Sequence, residues 1–147
     1  AAAVGEVNVV AEMKRTGAVI GGEGNGGVIY PELHYGRDAL VGAALFLSLL
    51  AKSGKKVSEL KKQYPQYVIT KDKIQLTPEM DIDAILARVK EKFAGEKVTD
   101  IDGVKIDFPD GWVHLRRSNT EPIIRIYSEA QSAERANELA ANVKNQL

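Results

Sequence analysis

Three short runs rich in β-branched and aromatic residues, 97–101, 104–108 and 112–117, are separated by Asp102-Gly103 and Asp110-Gly111. Asp-Gly between two such runs is a strong short-range signal for a hairpin, because both residues tolerate the backbone twist of a tight turn. The stretch is therefore expected to form neighbouring antiparallel strands. Residues 67–76 and 123–128 read as two more strands, and residues 81–93 as a helix. A closing helix is predicted over 132–147, with Ser132 as its cap and Glu134 near its start. Strands with helices packed against one antiparallel sheet make an α+β unit.

The residues before this unit are patterned differently. Val7, Val10, Ala11 and Met13 recur at helical spacing, and Gly17 suits the position just past a helix end. Residues 18–20 then read as a short strand running into Gly21-Gly22-Glu23-Gly24-Asn25-Gly26-Gly27, and Pro31 breaks the chain after Val28-Ile29-Tyr30. Asp38 can cap a long helix that closes at Gly54, with an apolar face of Leu40, Val41, Ala44, Leu45, Leu47 and Leu49. This first part resembles the end of an α/β domain. A polar, basic, Pro-terminated segment, 55–65, marks the change, so the predicted domains are 1–62 and 63–147.

Composition narrows the function classes. The 147 residues carry 20 Lys plus Arg against 20 Asp plus Glu. A net charge of zero offers no general attraction to nucleic acid or to an anionic membrane, and neither is expected as a partner. Cysteine is absent, which excludes disulfides and thiolate metal sites and permits a cytoplasmic location. No apolar run approaches the roughly 20 residues that span a bilayer. Ala1-Ala2-Ala3 lacks a basic segment and does not read as a signal peptide, and no initiator Met is present, so the chain is taken for a fragment.

Two loops carry chemistry. Arg116-Arg117-Ser118-Asn119-Thr120-Glu121-Pro122 lies between two predicted strands. A phosphate monoester presents about two negative charges and several acceptor oxygens near neutral pH. A guanidinium fork binds two oxygens at once, while hydroxyls, an Asn amide and turn N–H groups supply further donors. The same residues also suit an ordinary polar hairpin tip with a surface Arg–Glu pair. The glycine cluster matches G-x-G-x-x-G literally, but Val28-Ile29-Tyr30-Pro31 follows where a helix should open, and an acidic residue about 20 positions further on is missing. A glycine loop that brings backbone close to a ligand, with Glu23 accepting from hydroxyls, is one alternative; a glycine-rich turn with a solvated Glu is the other.

Together, Val4-Gly5-Glu6-Val7-Asn8, the glycine cluster, Gly36-Arg37-Asp38 and the Arg116–Pro122 loop resemble the α-D-phosphohexomutase family, over essentially the whole chain. The resemblance implies the tail of a third domain followed by a complete fourth domain with a TATA-binding-protein-like α+β fold. It implies interconversion of hexose or hexosamine 1-phosphate and 6-phosphate, through a phosphoserine enzyme and a hexose 1,6-bisphosphate intermediate, with Mg²⁺ on a loop of another domain. Neither the phosphoserine loop nor the metal loop is in this sequence, so no catalytic residue and no metal ligand is expected here, and the piece alone is expected to be inactive.

By position, Glu23 and Asn25 correspond to contacts with sugar hydroxyls. Arg116, Ser118, Asn119 and Thr120 correspond to the cradle for the phosphate that is not transferred, and Arg117 to a peripheral position. Implied partners are the hexose or hexosamine phosphate and the remaining domains of the same enzyme, the two turns meeting opposite ends of one ligand. Glu6 and Gly27 stand where some relatives carry His, so roles of those histidines do not transfer, and the choice among glucosamine, glucose and mannose phosphates stays open. A stand-alone, non-catalytic phospholigand-binding module is the alternative. His34 and His114 have neither cysteines nor an evident carboxylate partner at ligand spacing. Asp100, Asp102 and Gly103 only faintly resemble a calcium loop, lacking its other ligands.

Overall fold

Residues 1–118 and 120–147 are described by a computed structural model. They divide into two units, Ala1–Pro65 and Gln66–Leu147.

In the first unit, helix α1 spans Glu6–Thr16 and buries Met13, with Glu6 in its first turn and Lys14 and Arg15 in its last, as the helix dipole favours. Gly17 closes it in the left-handed conformation. Strands β1 (Gly21–Gly22), β2 (Val28–Tyr30) and β3 (His34–Arg37) form an antiparallel sheet in that order. The strand expected at 18–20 therefore begins later. Val19 and Ile20 are exposed, and pairing starts at Gly21 opposite Ile29. His34–Arg37 was not foreseen as a strand, since a bulge between Ile29 and Tyr30 and the turn at Pro31 leave it only a short register.

Helix α2, Ala39–Ser53, starts where expected: Asp38 Oδ1 accepts from Val41 N at 2.9 Å, and Gly54 ends it. Its apolar face holds no buried residue. Leu40 is 83% exposed and Leu47 59%, because three short strands offer too small a face to cover a 15-residue helix. A short helix, α3 (Val57–Lys61), follows and buries Leu60.

The second unit is a five-stranded antiparallel sheet in the order β4 (Val68–Gln75), β8 (Ile123–Ala130), β7 (Gly111–Arg117), β6 (Val104–Phe108), β5 (Lys97–Thr99). Helices α4 (Ile82–Lys92) and α5 (Ala133–Lys144) are capped by Asp81 and Ser132. One face of the sheet packs on them: Val104, Ile106, Val113, Leu115, Ile124 and Ile126 join Ile85 and Val89 of α4 and Ala136, Leu139 and Val143 of α5 in a single core. Strict alternation along β8 sends Arg125 and Tyr127 to the opposite face, away from α4 and α5. Trp112 likewise leaves the core to Val113 and donates its indole N–H to Glu129 at 2.9 Å. Among the described residues, no helix is long and apolar enough to cross a membrane.

Candidate functional site

The register of β7 and β8 places Arg116 directly opposite Arg125. Each alternates with core residues (Leu115 on one strand, Ile124 and Ile126 on the other), so both guanidiniums leave the sheet on the face away from α4 and α5. Like charges at opposed positions repel, and each arginine is held by a carboxylate. Arg116 Nη1 lies 3.2 Å from Asp102 Oδ2, and Arg125 Nη2 lies 2.8 Å from Glu121 Oε2.

The turn that joins the strands closes through Ser118 N, which donates to Ile123 O at 3.0 Å. Ser118 is only 4% exposed. Its hydroxyl is within 3.3 Å of Arg125 Nη2 and accepts from Thr120 N at 3.4 Å, with Thr120 Oγ1 also at 3.4 Å. Two arginines, two hydroxyls and a turn amide are thus gathered in one place. The Nε atoms of Arg116 and Arg125 are buried and meet no acceptor among the described residues. Such donors are uncommon in folded proteins and call for a reason. The pair keeps donor capacity that no described protein group uses.

Behind Arg116 sits the β5–β6 turn. Asp102 holds Arg116 with its carboxylate, and its carbonyl is within bonding distance of His114 Nε2. Beside Arg125, a depression of about 400 Å³ opens toward Lys71, Lys73 and Tyr127. Lys73, Arg125 and Arg116 form a row across three strands, since Lys73 is the register partner of Arg125 on β4.

The glycine cluster is the tip of the β1–β2 hairpin and opens no helix. Gly26 N donates to Glu23 O at 3.1 Å and Glu23 N to Gly27 O at 3.2 Å. Glu23 is half-buried; its Oε1 accepts from Gly5 N at 3.1 Å, and its Oε2 lies 3.5 Å from Asn25 Nδ2. Asn25 turns its Oδ1 back to Gly27 N at 3.0 Å. A cavity of about 690 Å³ lies alongside, lined by Glu6, Asn25, Gly27 and Arg37 among others.

The structure therefore groups Glu23 with Asn25 on one turn, and Arg116 with Ser118 and Thr120 on another. Asn119 lies outside the described residues. Arg117 is exposed. Arg125 was missed by reading the sequence, because a charged residue within Ile123-Ile124-Arg125-Ile126 looks like the solvent side of any amphipathic strand. Counting register outward from the turn, with Arg117 opposite Ile124, would have found it. The two histidines serve local structure. His34 Nδ1 accepts from Gly36 N at 3.0 Å, which leaves Nε2 for Asp38 Oδ2 at 3.2 Å. Among the described residues, no three His, Asp or Glu gather as metal ligands.

An antiparallel sheet with helices on one face and a turn rich in cationic and hydroxyl side chains defines a small α+β unit, preceded in the chain by a glycine-hairpin unit. Residues 1–67 match domain III of phosphoglucomutase/phosphomannomutase, described as alpha/beta/alpha, and residues 68–146 match the C-terminal domain of the same family. The chain belongs to the phosphoglucomutase/phosphomannomutase family.

Among its relatives, a phosphoglucomutase/phosphomannomutase of Thermococcus kodakarensis is 47% identical over 137 residues, covering 92% of this chain and 30% of that protein. A phosphoglucosamine/phosphogalactosamine mutase of Sulfurisphaera tokodaii is 38% identical over 143 residues, covering 96% of this chain and 31% of its own length. A crystal structure of a phosphoglucomutase/phosphomannomutase family protein from Burkholderia thailandensis superposes with a TM-score of 0.75 at 29% identity, covering 98% of this chain and 31% of that one. The chain thus spans under a third of the length of these proteins.

Proposed function

We propose that this chain supplies the sugar-binding and phosphate-binding turns of a phosphohexomutase, an enzyme that interconverts hexose or hexosamine 1-phosphate and 6-phosphate. In this reading a phosphoserine on another domain gives its phosphoryl group to the sugar. The hexose 1,6-bisphosphate then reorients and returns its other phosphoryl group. Arg116, Ser118, Asn119 and Thr120 hold the phosphate that is not being transferred, with Arg125 as a second cation. Glu23 and Asn25 accept from and donate to ring hydroxyls. The observation that supports it is the opposed Arg116–Arg125 pair around a buried Ser118 hydroxyl. Paired guanidiniums with unused donors suit a dianion better than they suit bulk water.

Such residues bind and position. The sugar must sit in two opposite orientations, so its anchors should be groups left nearly equivalent after the flip: mid-ring hydroxyls and the remote phosphate. Energy from the unreacting phosphate orients the reacting end. Mg²⁺ would stabilise charge on the transferring phosphoryl group. The residues described here do not gather as ligands for it, and the resemblance puts that loop in another domain.

A phosphorus NMR titration of the intact enzyme with a hexose phosphate tests the reading. Arg116→Ala should weaken binding at least about tenfold, the equivalent of one lost charge-assisted hydrogen bond. Equal affinity in wild type and variant would remove Arg116 from the site.

A further inference from the structure

Arg37 lies across the glycine hairpin in a way the family resemblance does not explain. Its aliphatic stem occupies the space above Gly27, where an added Cβ would come within 2.7 Å of Arg37 Cδ and 3.3 Å of Cγ. Any side chain at position 27 would have to push the arginine aside. Glu6 holds it from the other direction: Oε2 accepts from Arg37 Nε at 2.8 Å and Oε1 from Arg37 N at 3.2 Å. Neither Nη atom meets an acceptor among the described residues, and the side chain is 52% exposed. Glu6, Gly27 and Arg37 line the same cavity as Asn25. Gly27 and Glu6 are thus linked through one side chain, the stem of Arg37 lying over the glycine and its Nε on the glutamate.

We propose that Arg37 is a specificity-determining residue of the sugar pocket, donating from its free Nη groups to an oxygen substituent of the ring and disfavouring an ammonium there, with Glu6 as its positioning residue. This rests on the reading of the hairpin as the sugar-binding turn. A guanidinium has donors only and keeps its charge at any working pH. A hydroxyl or an amide carbonyl can accept from it. A protonated amine cannot, and it adds like-charge repulsion at close range. Each Glu6 oxygen already accepts from Arg37, so the pair presents the arginine's donors to the cavity.

The intact enzyme, assayed with glucose 1-phosphate, mannose 1-phosphate, glucosamine 1-phosphate and its N-acetyl form, decides the matter. Turnover is compared as kcat/KM, with Kd used for any sugar that is not turned over. Arg37→Ala should lower the value about 10- to 100-fold for the hydroxyl and N-acetyl sugars and by less than about threefold for the amine, the loss expected for one or two charge-assisted hydrogen bonds. Millimolar guanidinium should restore part of it. Gly27→Ala, which displaces the arginine without deleting it, should shift the ratio in the same direction and serves as the readout should Arg37→Ala fail to fold. Losses equal on all four sugars and not rescued by guanidinium would make Arg37 a structural tie and overturn the assignment, as would no loss at all. Glu23→Gln separates the two layers. Unchanged activity there removes the sugar-binding turn itself, whereas a loss there beside a sugar-blind Arg37→Ala removes only Arg37.

Discussion

Arg116 owes its place to a glycine two strands away in sequence. Gly103 has φ +74°, and a Cβ on it would stand 2.2 Å from Leu115 O and 2.9 Å from Arg116 Cα. A left-handed backbone costs an alanine about 1–2 kcal/mol, and forcing atoms into a packed site about 1–3 more. Gly103→Ala should therefore destabilise the second unit by about 3 kcal/mol in urea unfolding and weaken phosphate binding as Arg116 is displaced. Asp102→Asn should weaken binding less than Arg116→Ala does, since it loosens the guanidinium without removing it; phosphorus NMR would read both. The two Asp-Gly pairs show how far residue-level reading reaches. Gly103 is the turn glycine that the sequence pattern implied. Gly111 is not: it lacks a positive φ, opens β7 opposite Phe108, and leaves Pro109-Asp110 as the turn. Its missing side chain makes room for Glu129 O and Leu139 Cδ1, at 2.3 and 2.7 Å from where a Cβ would be. Close approach across a sheet depends on partners far away in the chain, and a dipeptide does not encode it.

At the scale of elements, caps and periodicity were legible and burial was not. Asp38, Asp81 and Ser132 cap the helices they were expected to begin, because an N-cap is decided by three or four consecutive residues. Burial of α2 depends on what lies over it, and the apolar pattern of Leu40 to Leu49 cannot say. Strand β4 and its pairing with β8 connect residues far apart in the chain (Val68 opposite Ala130, Gln75 opposite Ile123), which alternation suggests but register alone decides. Asp38 gives a prediction in pH. The Val41 N–H, and then His34, hold its carboxyl below the usual carboxylate range. The folded value lies under the unfolded one of about 3.9. The resulting stabilisation is full above that value and disappears as pH falls through the depressed one. Thermal melts from pH 5 to pH 2 should show the wild type losing more than Asp38→Asn, which keeps an acceptor for Val41 but does not titrate. On α5, Leu139 is 2% exposed, and Leu139→Ala should cost about 2–5 kcal/mol by denaturant unfolding.

For the whole molecule, the two units differ in how much they bury. Among the described residues, the second holds 13 buried residues in one core cluster, whereas in the first only Met13, Ile29 and Leu60 are buried hydrophobics. Residues 66–147 expressed alone should give a dispersed amide NMR spectrum and a single cooperative melt; residues 1–65 alone should give neither. The opposed arginines carry one more consequence. Bringing two cations to one rung on neighbouring strands, with Lys73 on the next strand, stores repulsion that the fold must tolerate whenever the turn is empty. A bound dianion would discharge it, so ligand would act as a rivet for the domain as well as a guest: the melting temperature should climb with phosphate concentration in the wild type and stay level when Arg125 is replaced by methionine.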